Sequence, residues 1–256
     1  MYRGGILLKT PEQLDQMAVA GAIHARCLKM LVSKCRPGVT TTELDEAAER
    51  FIRSQGAEPT FKGYRGFPGS ICASPNAMVV HGIPDAHALE PGEVLSLDIG
   101  VTKDGWVADG AVTVAIGDVD ETTARLLTAT EEALHAGTEA ARPGNRLSDI
   151  SNAIQIRVEA DGFSIIRSLV GHGVGREMHE DPQIPNYGPP GRGPVLEPGM
   201  VFAIEPMTAA GGPEVVTGQD GWAVYAADGS LTAHFEFTVA VTEDGPRILT
   251  PWHEDL

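Results

Sequence analysis

Five side chains spread along the chain, Asp98, Asp109, His172, Glu205 and Glu236, are of the types that hold divalent metal ions. Four hard oxygen donors with one nitrogen suit a pair of Mn, Fe, Co or Zn ions bridged by carboxylates and water. Asp98 ends the alternating run Val94-Leu95-Ser96-Leu97-Asp98, and the turn Lys103-Asp104-Gly105 sends the chain back through Trp106-Val107-Ala108-Asp109. A hairpin of that length brings Asp98 and Asp109 side by side, and period-two geometry lets both project to one face. Carboxylates so placed repel unless protonated or bridged by a cation. A strand-end aspartate near a turn, taken alone, is ordinarily just solvated. Glu236 has less room for a bland reading, because it lies in the apolar, β-prone run LTAHFEFTVAVT, where an unpaired glutamate is costly to bury. His172 sits in Val170-Gly171-His172-Gly173-Val174-Gly175, whose glycines permit close backbone approach. Neutral imidazole is a common metal ligand.

The elements that must position these residues show through an internal repeat. Arg36-Pro37-Gly38 returns as Arg142-Pro143-Gly144, and Glu90-Pro91-Gly92 as Glu197-Pro198-Gly199, roughly 106 residues later. The sequence EPGEVLSLDIG then matches EPGMVFAIEPM, so Glu205 stands where Asp98 stands, and pseudo-symmetry should bring the two acids close. Two copies are too few for a solenoid. The expectation is a single α+β domain over 1–256, with pseudo-repeats about 11–118 and 119–250 related by a pseudo-twofold and feeding one continuous antiparallel sheet. Apolar spacing predicts helices over 11–34, 40–55, 120–141 and 146–161. Strands are expected near 71–80, 93–102, 105–116, 164–170, 200–207, 222–227 and 233–242.

Composition narrows the setting. The 256 residues are 42% hydrophobic, which suits a globular core. No apolar run reaches the ~18 residues of a membrane span, and MYRGGILLKTPEQL lacks the features of a secretory signal. Cys27, Cys35 and Cys72 lack metal-finger spacing and read as reduced thiols of a cytosolic protein. A formal net charge of −16 argues against broad binding to nucleic acid or anionic lipid. A monomer is the default expectation.

The strings VVHGIPD, LDIGVTKDGW…AD, GHGVGREMHEDP, EPGMVFAIEPM and DGWAVY…FEFTV, in this order, resemble the type I methionine aminopeptidases over roughly residues 10–250. The resemblance implies the "pita-bread" fold, a curved antiparallel sheet flanked by helices. It also implies removal of N-terminal methionine from nascent chains with a small second residue, in the cytoplasm, with the ribosome as a further partner. The five residues above become ligands of two metal ions, and a water bridging two ions has its pKa lowered towards neutrality. Glu205 matches the ligand that also takes this water's proton. His81 of VVHGIP and His179 of GREMHEDP match two histidines that contact substrate and stabilise the tetrahedral intermediate. Phe61, Tyr64, Phe67, Cys72, His81, Met178 and Trp222 align with the methionine pocket; aromatic and sulfur groups suit a flexible thioether.

Four positions depart from the family pattern: Phe61, Met178, Gly110 after Asp109, and Phe237 after Glu236. Together they are expected to reshape the pocket or the residues behind the ligands. His24, His87, His135, His234 and His253 read as structural. Proline-specific pita-bread hydrolases usually carry a large further N-terminal domain, and non-catalytic relatives would be expected to lose ligands. All five ligand positions are filled here.

Overall fold

Two helices lead into strands, and then the same order runs again, in a computed structural model that describes residues 2–3 and 5–254. Met1, Gly4, Asp255 and Leu256, part of the expected domain, lie outside the described residues. The first half contributes α1 (Pro11–Val32) and α2 (Thr41–Ser54), and the second α3 (Glu121–Ala140) and α4 (Leu147–Ala160). Each start is encoded locally. Thr10 and Thr40 accept from the backbone of Gln13 and Glu43, whose side chains reach back to the cap backbone. Asp120 accepts from the Thr123 N–H, and Asp149 from the Arg146 N–H. Each such cap stabilises its helix by ~1 kcal/mol.

The repeat is visible bond by bond. Gly38 N–H donates to the Leu89 carbonyl (2.8 Å), and Gly144 N–H to that of Leu196 (3.0 Å). Thr40 bridges Ala88 as Arg146 bridges Val195. Gly92 and Gly199 close the two Glu-Pro-Gly turns at φ 92° and 96°, a region that glycine enters without a Cβ penalty.

Cys72–Pro75 pairs with Val94–Lys103, which forms a hairpin with Trp106–Ala115. Asp104 and Gly105 both have positive φ, the signature of a two-residue hairpin turn matched to strand twist. In the second half, Glu180–Ile184, Gly171–Gly173, Val201–Ile204, Phe237–Thr242 and Gly245–Ile248 lie side by side in that order. Several expected strands are cut short. The run 200–207 breaks at Glu205-Pro206 and the run 233–242 at Phe235-Glu236, so chain irregularity falls on the candidate ligands themselves. The strands at Gly171–Gly173 and Glu180–Ile184 were not foreseen, because neither shows apolar alternation.

The expected continuous ladder is also interrupted, at the seam between the halves. There the backbones of Ala111 and Glu236 bond each other directly (2.9 and 3.4 Å). On one side of that bridge, the Thr238 hydroxyl accepts from Asp109 N–H (2.9 Å) and donates to Asp109 C=O (2.8 Å). On the other, the Thr113 hydroxyl does the same for His234 (2.8 and 2.9 Å). Where the backbone ladder is not continued, side-chain hydroxyls take its place, so the buried amides of Asp109 and His234 are satisfied.

Replacing Thr238 by valine keeps the shape and removes both bonds to Asp109. Stability should fall by about 2–3 kcal/mol, read as a lower denaturant midpoint with an unchanged slope. A midpoint equal to wild type would show that the seam hydroxyl contributes nothing.

Candidate metal centre and its cavity

The hairpin register pairs Asp98 with Ala111 and Gly100 with Asp109. Asp98 and Asp109 are therefore diagonal neighbours rather than direct partners, on one face of the sheet. Period two accounts for the shared face, and the two-residue turn for the offset. From the other half, Glu205 follows Val201–Ile204 and Glu236 precedes Phe237–Thr242, strands that pair with each other. His172 reaches the same place because its flanking glycines let strands close in. A Cβ on Gly171 would sit 2.4 Å from the Ala203 carbonyl oxygen, and one on Gly173 would sit 2.2 Å from that of Asp181.

All five residues line one cavity of about 300 Å³. Ligand atoms of Asp109, His172 and Glu236 fall within 4.8 Å of one another. His172 Nε2 lies 3.5 Å from Glu205 Oε1 and 3.7 Å from Asp109 Oδ2, and its Nδ1 bonds the Gly173 carbonyl at 2.9 Å. That second contact fixes the ring and directs Nε2 inward.

Four carboxyls crowded in a buried space are reluctant to ionise together. Burial, and then the neighbouring Asp109, raises Asp98 well above the usual carboxylate range. Burial pushes Asp109 up to about 7, against a stabilising Gly110 N–H. Glu205 and Glu236 are raised too, first by burial and then by their acidic neighbours. Asp98 Oδ1 and Glu236 Oε1 have no hydrogen-bond partner within the chain. Stranded buried acceptors, mutually repelling acids and a pinned neutral imidazole together fit a divalent cation.

The remaining expected site residues are here as well. Phe61, Tyr64, Phe67, Cys72, His81, Met178 and Trp222 all border the cavity, as does His179. His81 and His179 are exposed at its mouth, and His81 holds a positive φ of 61°. Tyr64 stacks on His179, and its hydroxyl meets Nδ1 at 2.9 Å. The loop bearing Met178 and His179 is tied down by the buried Lys9–Glu180 ion pair (2.6 Å), with Glu180 also accepting from Arg176 N–H (2.8 Å). On the opposite wall, Asp45 of α2 accepts from the Ser70 and Ile71 backbone, ordering the approach to Cys72.

One expectation needs correcting, and two are narrowed to the residues behind the ligands. His234, read as structural, lines the cavity and is 2% exposed. Its position two residues before Glu236 was the missed signal, since residues i and i+2 of a strand share a face. Gly110 faces away from the cavity: a Cβ there would lie 2.7 Å from His24, whose Nε2 meets the Gly110 carbonyl at 3.0 Å. Phe237 also points away, packing on Trp252 (5.0 Å between ring centroids), His253 (4.8 Å) and His135 (5.4 Å). Of the four departures, only Phe61 and Met178 touch the cavity. His24, His87, His135 and His253 remain outside it, His87 hydrogen-bonded to Glu93 (3.0 Å).

Residues 15–243 match the model of metallopeptidase family M24. Methionine aminopeptidase 1 of Bacillus subtilis is 52% identical over 245 residues, covering 96% of this chain and 99% of the relative. The Escherichia coli methionine aminopeptidase is 42% identical, with 98% and 96% covered. The crystal structure of methionine aminopeptidase from Rickettsia prowazekii superposes with a TM-score of 0.94 at 40% identity, over 96% of this chain and 99% of that one. Prolidase from Pyrococcus furiosus shares the fold more loosely, with a TM-score of 0.78 at 23% identity, and 65% of its length is covered. These likenesses establish the pita-bread α+β architecture. The chain belongs to metallopeptidase family M24, among its methionine aminopeptidases.

Proposed function

We propose that this protein removes the N-terminal methionine from polypeptides whose second residue is small, using two divalent metal ions held by Asp98, Asp109, His172, Glu205 and Glu236. The observation that carries the reading is the convergence of these five donors beside a cavity whose other walls are Phe61, Tyr64, Phe67, Cys72, Met178 and Trp222. When bound, the ions supply Lewis acidity and acidify a water into a usable nucleophile near neutral pH. Mn, Co, Fe and Zn all suit the donor set.

Glu205 is the base: its carboxylate borders the cavity floor and can take the water's proton and return it to the leaving amine. His179 donates to the developing oxyanion. With the Tyr64 hydroxyl donating to Nδ1, the proton of the neutral ring sits on Nε2, which is free to act. His81 stands across the mouth, where the second residue's peptide enters. The aromatic and sulfur walls receive the methionine thioether, whose flexibility tolerates the Phe61 and Met178 substitutions. The supporting picture is a monomer in the cytoplasm, meeting nascent N-termini near the ribosome. Its −16 charge disfavours stable contact with nucleic acid.

Methionine release from Met-Ala-Ser after chelation and addition of Mn, Co, Fe or Zn is the direct test. Metal-dependent release is expected, with little cleavage of Met-Leu-Ser or Leu-Ala-Ser; release that persists without metal, or equal cleavage of all three, sinks the assignment. Glu205→Gln should lower kcat by about 10²–10⁴-fold, and Asp109→Ala should abolish turnover and deplete bound metal. Full activity in either variant refutes that residue's role.

Metal should also stabilise the fold, because ions that bind only the native state shift its equilibrium. At a hundredfold excess over Kd the gain is about 2.7 kcal/mol, or roughly 5–10 °C in Tm for a chain of this size. A calorimetric melt that ignores both chelator and added metal would argue against the centre.

A further inference from the structure

His234 is buried on the cavity wall, and its strand is pinned there by the Thr113 hydroxyl, which bonds both the N–H and the C=O of this residue. Neither ring nitrogen has a hydrogen-bond partner within the chain. Nε2 lies 3.6 Å from Glu205 Oε2 and 3.8 Å from Glu236 Oε2. Those separations are too long for hydrogen bonds. They match the spacing of donors that share an ion: two groups each about 2.1 Å from one metal stand roughly 3.0–4.2 Å apart, depending on angle. His172, at 3.5 Å from Glu205 Oε1, shows the same spacing on the carboxylate's other oxygen. Glu205 thus has an imidazole facing each oxygen.

We propose that His234 is a second imidazole ligand of the metal centre, bound through Nε2 beside Glu205 and Glu236. The proposal rests on the metal centre described under the proposed function and extends it by one ligand. Two nitrogens in place of one shift the donor set away from hard ions such as Mg and Mn. They favour Co, Ni, Zn and Fe. Ligation would also give Nε2 a partner in a place where an unmade interaction is costly. His172 has its far nitrogen fixed by a carbonyl, whereas Nδ1 of His234 has no such support. His234 is therefore the weaker imidazole, and its loss should cost about tenfold in affinity rather than a hundredfold.

The test titrates metal-free protein with Co(II) alone, comparing wild type, His234→Gln and Asp109→Ala by calorimetry and paramagnetic proton NMR. In His234→Gln the more weakly held Co(II) should bind about tenfold less tightly, and one exchangeable, hyperfine-shifted imidazole N–H signal of the wild type should vanish. Unchanged signals, with affinity within about twofold, overturn the ligand assignment while leaving the centre intact. If Asp109→Ala binds Co(II) as wild type does, the centre itself is wrong and His234 falls with it. Should His234→Gln fail to fold, a crystal structure of wild-type protein with Co(II) decides the matter. An Nε2–Co distance of about 2.1 Å supports the proposal, and one beyond about 3 Å overturns it.

Discussion

Four carboxyl groups crowded around one cavity repel one another, and most of what surrounds them offsets or exploits that repulsion. Burial raises the proton affinity of all four, and among the described residues no lysine or arginine forms an ion pair with them; the basic groups within 4 Å are the neutral imidazoles of His172 and His234. A lysine or arginine would neutralise the acids permanently. A divalent cation neutralises them while leaving coordination positions for chemistry, so the local cost of the arrangement is also the source of its affinity.

The walls of the cavity follow from how the two halves meet it. The first half presents its donors on a regular hairpin, held by an uninterrupted ladder. The second presents Glu205 and Glu236 at breaks in strands and His172 between glycines packed against neighbouring backbone. Regular strands fix position well but allow only alternate residues to face inward. Glu205 and Glu236 stand just beyond strand ends, so donors from three separate strands meet in one cavity.

Much of this was legible in the sequence because its signals were redundant. The repeated Glu-Pro-Gly turns located Asp98 and Glu205, and the helices announced themselves through apolar stripes. What failed was long-range geometry. His234 looked like one more residue of a β run, yet the alternation that makes Glu236 face inward makes His234 do so too. The same rule turns Gly110 and Phe237, each one step beyond a ligand, to the opposite face, where His24 and Trp252 wait. Those partners lie far away in sequence, so nothing local could name them. The seam was also invisible, because a threonine hydroxyl that replaces a ladder bond leaves no periodic trace.

That seam bears on when the protein becomes competent during its own synthesis. Its threonine bridges join residues 121 and 129 positions apart, from one half of the repeat to the other. Contacts of such high order form late, since loop closure must precede any reward. A growing chain can fold α1, α2 and the hairpin while still tethered, but Glu236 and the strand that follows it emerge far later in the chain. The metal centre is in this sense a checkpoint on both halves: a chain that stops before His172 holds a hairpin with two acids and nothing to complete them.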